Sequence, residues 1–284
     1  MKIAKLGQEE LFGGRGFLSS RIFTPAREDC PKITLLVGPN RSGTSALCKA
    51  FSYVMPAYYQ PLKSMVRYGG PALVIPGGEK AIFIKETLGI WREEETTFDP
   101  ISALIEAGVP REKISFVPLL RDPLDTYDSW LEVGADASIG MFLRAFDHIF
   151  TLCDKAAALG VNTVPFDYEL LRTGEELVMR NIFDRIGLDY MPSVVNWPGN
   201  DYLAGGRISI SAEANSVNYR EVCLDQVFER GGLRYIERER KCIGKQDFEI
   251  LLSEVYPRYM YFADLSRNYF WATSRPESLV ERAA

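Results

Sequence analysis

The sequence predicts an α/β fold: a central parallel β-sheet flanked by helices in three layers, organised around one P-loop-like strand–loop–helix unit. Three observations predict it. Residues 33–47, Ile-Thr-Leu-Leu-Val-Gly-Pro-Asn-Arg-Ser-Gly-Thr-Ser-Ala-Leu, read as a buried strand, a tight loop and the start of a helix. Short β-branched and aliphatic runs then alternate with helical stripes, the pattern of parallel strands joined by right-handed crossovers. Finally, Arg121 closes a third apolar strand directly before Asp122 and Pro123, which suit the cap and first turn of a helix.

In chain order, residues 1–31 read as a lead-in arm or flap. The first strand covers residues 33–37, and Gly38 and Pro39 break it. Helix follows from Thr44, with Leu47, Ala50, Phe51 and Val54 on the face that meets the sheet and Pro56 as the stop. Residues 57–80 carry Tyr58, Tyr59, Pro61, Tyr68, Gly69, Gly70, Pro71, Pro76, Gly77 and Gly78. That composition predicts a loop, either an acceptor-binding lid or a plain surface loop. Residues 81–85 form a second buried strand ending in Lys85, Glu86 and Thr87, and residues 98–108 a helix. Residues 114–120 form the third strand and 138–159 a helix with the stripe Ile139, Phe142, Leu143, Phe146, Ile149, Phe150 and Cys153. Residues 161–166 give a fourth strand and 174–187 a helix closed by Gly187. Residues 190–219 read as irregular, 220–243 and 246–255 as helical, and the end from Thr273 as frayed.

One domain over residues 1–284 is consistent with this length, with 57–80 and 190–245 as insertions on the acceptor side. The net charge of −5 supplies no global basic field for nucleic acid. No apolar run is long enough to span a bilayer, and the first residues lack the apolar core of a secretory leader, so a cytoplasmic location is expected. The five cysteines are odd in number, widely spaced and without a Cys-x-x-Cys pair, which favours reduced thiols over a disulfide framework or zinc site. No metal site is expected. His148 is the sole histidine, so a mechanism needing two is excluded, and its place in an apolar stripe makes it structural.

The chemistry concentrates at the first loop. Such a loop turns backbone N–H groups and a helix N-terminus toward one point, which favours a phosphate. Ser42, Thr44 and Ser45 add hydroxyls, Arg41 a fixed charge, and Gly43 lets backbone approach closely. Gly38 and Gly43 have the spacing of the phosphate loop of nucleotide triphosphatases, but Thr44 stands where that loop needs a lysine, and the cation is Arg41. A second anion segment runs from Arg121 to Ser129. An arginine can grip a phosphate through two N–H groups, and a serine eight residues on adds a directed donor.

These motifs resemble those of the sulfotransferases that use 3'-phosphoadenosine-5'-phosphosulfate (PAPS). The strand, Pro-x-Arg-Ser-Gly-Thr-Ser and helix are similar to the family's 5'-phosphosulfate loop. Arg121-Asp122-Pro123-Leu124-Asp125 through Ser129 matches its 3'-phosphate segment, and Phe166-Asp167-Tyr168-Glu169-Leu170 its later tyrosine signature. The resemblance covers about residues 33–190. It implies that Arg41, Ser42, Gly43, Thr44 and Ser45 hold the 5' end of the cofactor, that Arg121 and Ser129 hold the 3'-phosphate, and that Tyr168 lies near the adenine. It implies PAPS as co-substrate, PAP as product and no metal.

Lys85 stands where many members place Lys-Thr-His, whose lysine meets the sulfuryl group and whose histidine is the base. Here the run is Lys85-Glu86-Thr87, so Glu86 is the candidate base, against a reading as a salt-bridge partner of Lys85 or Arg41. A C-terminal basic loop over the 3'-phosphate would be Arg207 with Ser209 and Ser211, or Arg230-Gly231-Gly232. The catalytic set is then Arg41, Lys85 and Glu86. The acceptor is a hydroxyl or amine of a small molecule or carbohydrate, and homo-oligomerisation stays open. The alternatives are a P-loop kinase, which would need Mg²⁺ and a loop lysine, and a nucleotide-binding homologue that has lost the base.

Overall fold

The computed structural model describes residues 16–133, 138–197, 208–210, 231–237 and 239–271. Its elements in chain order are β1 (Ile22–Phe23), β2 (Lys32–Pro39), α1 (Thr44–Ser52), β3 (Ala57–Tyr59), α2 (Pro61–Tyr68), β4 (Leu73–Val74), β5 (Ala81–Leu88) and α3 (Pro100–Glu106). There follow β6 (Ile114–Leu120), α4 (Pro123–Glu132), α5 (Ile139–Ala158), β7 (Asn162–Thr163), β8 (Phe166–Asp167), α6 (Glu175–Arg185), β9 (Ile208–Ile210), α7 (Lys245–Ile250) and α8 (Tyr256–Trp271).

The described strands of the main sheet run in the order β7-β6-β2-β5-β3-β9, with β8 joined to the end of β6, and every pair is parallel. β2 is central, with β5 and β6 on its two sides. Both sheet faces are covered, so successive strand residues enter two different cores. Ile33, Leu35 and Val37 join Ile82, Ile84 and Phe116 against Phe142, Phe146 and Ile149 of α5. Leu36, Phe83 and Val117 join Leu47, Ala50 and Phe51 of α1 and Val178, Ile182 and Phe183 of α6. This is the three-layer α/β arrangement expected. Helix starts follow the capping chemistry: Asp99, Asp122 and Ser138 each accept a backbone N–H from the first turn of α3, α4 and α5.

Four expectations are corrected. Residues 57–80 are not one loop: they contain β3, a strand of the central sheet, and α2, whose Leu62, Met65 and Val66 are buried in the core. Pro61 occupies the first turn of α2 and Gly69 closes it with φ 63°, so the turn formers that suggested a loop are helix boundaries. Residues 190–219 are not wholly irregular, because β9 extends the sheet beside β3. Of the helix expected over 220–243, residues 231–237 and 239–243 are non-helical, and the remainder lie outside the described residues, as does the end from Thr273. The expected fourth strand is split into β7 and β8 around Val164 and Pro165.

His148 is half-buried with Nε2 3.1 Å from the Phe98 carbonyl oxygen, and burial holds its pKa below the usual histidine value, in keeping with a structural role. Among the described residues no helix is long and apolar enough to cross a membrane. Cys30, Cys48, Cys153 and Cys242 are free thiols.

Candidate functional site

β2 delivers the loop at its carboxyl end, where open α/β sheets bind ligands. Gly38 passes so close to β6 that a Cβ there would lie 2.5 Å from the Leu119 carbonyl oxygen. Ser42 is buried and its hydroxyl donates to the Pro39 carbonyl at 2.7 Å, so it braces the loop from within. Arg41 takes a left-handed φ of 69° and Gly43 one of 101°. Gly43 is the N-cap of α1 and has no side chain of its own to cap that helix. The positive end of its dipole lies at this loop, which favours an anion there. Thr44 is buried at the first position, and the half-buried Ser45 shares a 2.9 Å hydrogen bond with the Tyr59 hydroxyl.

β6 and α4 bring the second segment to the same place. Arg41 Nε donates to Ser129 Oγ at 2.9 Å, across 88 residues of sequence. Trp130, the next residue, is fully buried and donates its indole N–H to the Asn40 carbonyl. Arg121 stands at the end of β6, its side chain 10% exposed, with Asp125 at 3.4 Å and the Ile236 carbonyl at 3.2 Å, while its Nε is buried without a hydrogen-bond partner among the described residues. A buried guanidinium N–H without an acceptor carries a desolvation cost that a bound anion would relieve.

Tyr168 joins the two segments. Its ring lies where a Cβ on Gly43 would be, at 2.5 Å, and the Arg121 guanidinium sits 5.2 Å from its centroid. Asp167, buried at the end of β8, caps the turn by accepting from the Glu169 N–H at 3.2 Å. Tyr235 packs on the Tyr168 ring at 5.7 Å, and its hydroxyl donates to Glu169 at 2.7 Å. Nothing in the sequence around Tyr235 marked it. Its partners Glu169, Arg172 and Glu175 lie 60 or more residues away.

Lys85 and Glu86 part company. β5 runs three residues beyond the expected end, to Leu88, so its side chains alternate through this run. Lys85 follows Phe83 onto the α1 side, where its ammonium lies 3.9 Å from the Tyr59 centroid and hence one step from Ser45. Tyr59, read at first as loop chemistry, therefore links β5 to the anion loop. Glu86 follows Ile82 and Ile84 to the opposite face, with no exposed surface. Its two carboxylate oxygens accept the Leu62 and Lys63 N–H groups at 2.7 and 3.0 Å, capping α2. Burial pushes its carboxyl up to about 7 against the opposing pull of those N–H groups. The expected role of acceptor base does not fit this placement, because both oxygens are engaged on the far side of the strand from Lys85.

The structure thus brings Arg41, Gly43, Thr44, Arg121, Ser129 and Tyr168 together, with Lys85 joined through Tyr59 and Ser45. Arg207, Ser211 and Arg230 lie outside the described residues, and Ser209 is in β9.

Over 91% of its own length and 91% of the other chain, the protein aligns with the crystal structure of mouse sulfotransferase SULT7A1 complexed with PAP, at 16% sequence identity and a TM-score of 0.48. No known protein family and no curated protein matches the sequence.

Proposed function

We propose that this chain is a sulfotransferase that moves the sulfuryl group of PAPS to a hydroxyl or amine of a small-molecule or carbohydrate acceptor, without a metal. The observation that carries this reading is the Arg41–Ser129 hydrogen bond, because it joins two separate anion segments into one site. The donor set fits a nucleotide with phosphates at both ends. The N-terminus of α1 with Arg41 suits the 5' end, and Arg121, with a buried N–H lacking an acceptor among the described residues, suits the 3'-phosphate. Tyr168 touches both segments, and in this reading the adenine lies near it.

PAPS, when bound, supplies the sulfuryl group and departs as PAP. The protein then has little covalent work to do, and its contribution is alignment and charge stabilisation. In this reading Arg41 and the α1 N-terminus stabilise the charge that grows on the leaving 5'-phosphate. Lys85, held by Tyr59 beside Ser45, is a third cation of the site, after Arg41 and Arg121. Glu86 positions α2 and is assigned no proton transfer. The location in this reading is the cytoplasm.

The test is an acceptor screen with PAPS in EDTA, read as a mass gain of one sulfuryl group on the acceptor. Turnover of ATP with Mg²⁺ and not PAPS would replace this reading with the kinase. Binding of PAP without turnover of any acceptor would leave a nucleotide-binding module.

A further inference from the structure

At the end of β5 lies a buried ionic cluster to which the proposed reaction assigns no role. Lys63 and Arg67 of α2 and Glu95 of the turn Glu93–Thr96 are almost wholly buried. Lys63 Nζ lies 3.4 Å from Glu95 and donates to Thr87 Oγ1 at 2.9 Å and to the Gly89 carbonyl. Arg67 grips Glu95 through two N–H groups, one of them at 2.8 Å. Burial pushes the Glu95 carboxyl up, but Lys63 and Arg67 beside it more than offset this and hold it below the usual range. Burial lowers Lys63 to about 8, which still leaves it an ammonium at neutral pH. Such clusters are costly in desolvation and add little stability over an apolar core, so they matter most where they fix one backbone conformation.

The backbone fixed here is the end of β5. Glu95 accepts from the Ile90 N–H at 3.1 Å and the Trp91 N–H at 3.4 Å, and its carbonyl accepts the Gly89 N–H at 2.9 Å. Gly89 turns with φ 73°, and a Cβ on it would land on the Trp130 ring. From there two routes reach the anion loop at Asn40. The Asn40 N–H donates to the Leu88 carbonyl at 3.0 Å, and the Asn40 carbonyl accepts from the Trp130 indole. Arg41 is the next residue.

We infer that Lys63, with Glu95 and Arg67, is a positioning residue for the anion loop, acting through Gly89, Trp130 and Asn40 on the conformation of Arg41. The inference rests on the reading of that loop as the 5'-phosphate site, and its test has an arm independent of it. Lys63→Met keeps the side-chain length and removes the ammonium. The first readout is the Trp130 indole N–H resonance without ligand, assigned with Trp130→Phe because the chain has four tryptophans. The second is affinity for 5'-AMP beside 3'-AMP. The inference predicts a displaced indole resonance and a roughly 3- to 20-fold loss for 5'-AMP, with 3'-AMP unchanged. An unmoved resonance, or equal losses for both nucleotides, overturns it. If Lys63→Met does not fold, Glu95→Gln makes the same test, and failure of both to fold makes the cluster a stability element and overturns the inference. If the wild type binds neither nucleotide, the functional reading fails and the indole resonance alone decides this one.

Discussion

Arg41 and Ser129 are 88 residues apart in sequence and 2.9 Å apart in space, the guanidinium Nε donating to the hydroxyl oxygen. The contact ties the loop after β2 to the second turn of α4 and holds the two segments side by side. Arg41 is held there in a left-handed backbone conformation that a non-glycine residue adopts at some cost, typical of sites where geometry serves binding.

Arg41→Ala removes that tie and the loop cation together. Turnover of PAPS should fall by roughly 10²–10³ with the fold intact by circular dichroism. Steady-state kinetics on the best acceptor checks this, and near-normal turnover would remove the loop from the site.

Arg121→Ala should abolish the preference for PAP over AMP, a loss of about 2–3 kcal/mol from a charge-assisted contact. The fold should tolerate the change, because Asp125 keeps a 2.6 Å contact to Arg240. Calorimetric titration with both nucleotides decides it: a variant that retains the wild-type preference places the 3'-phosphate elsewhere.

Gly43→Ala meets two penalties. The backbone is at φ 101°, and the new Cβ would strike the Tyr168 ring. A destabilisation of about 1–3 kcal/mol is expected, measured by urea denaturation, together with weaker PAP binding as Tyr168 is displaced. A variant as stable as the wild type contradicts the close approach of the two.

Much of this was legible in the sequence because its signals are local. The run from Ile33 to Leu47 is continuous, and Arg121, Asp122 and Pro123 are adjacent, so strand, cap and helix could be read in place. The pairing of Glu86 with the N–H groups of Leu62 and Lys63 is not local, and neither is the burial of Lys63 and Arg67 around Glu95. Polar residues of that kind read as loop until their partners, some 23 to 32 residues on, are known. The placement of Glu86 was missed for a different reason. Ending the strand at Lys85 hid the alternation that sends residues 85 and 86 to opposite faces.

Glu86 also has a pH signature. Its carboxyl is raised from 4.5 to about 7, so the folded chain binds that proton more tightly than the unfolded chain. The stability it contributes is fully present below about pH 4.5 and is lost as pH rises through about 7. The stability advantage of wild type over Glu86→Gln should therefore shrink by on the order of 2 kcal/mol between those limits. Urea denaturation at the two pH values checks the sign, and a constant difference would contradict it. Turnover of Glu86→Gln should stay within about tenfold of wild type, since the carboxylate caps α2 and does not face Lys85.

The central claim is that the loop at residues 38–45 and the segment at residues 121–129 together hold a nucleotide phosphorylated at both its 3' and 5' ends, without a metal. Thermal unfolding in EDTA with PAP tests it most directly. At a hundredfold excess over its Kd, PAP should add about 2.7 kcal/mol of stability and raise Tm by roughly 5 °C, and AMP at the same concentration should do less. No shift with PAP, alongside a shift with ATP that requires Mg²⁺, would contradict the account.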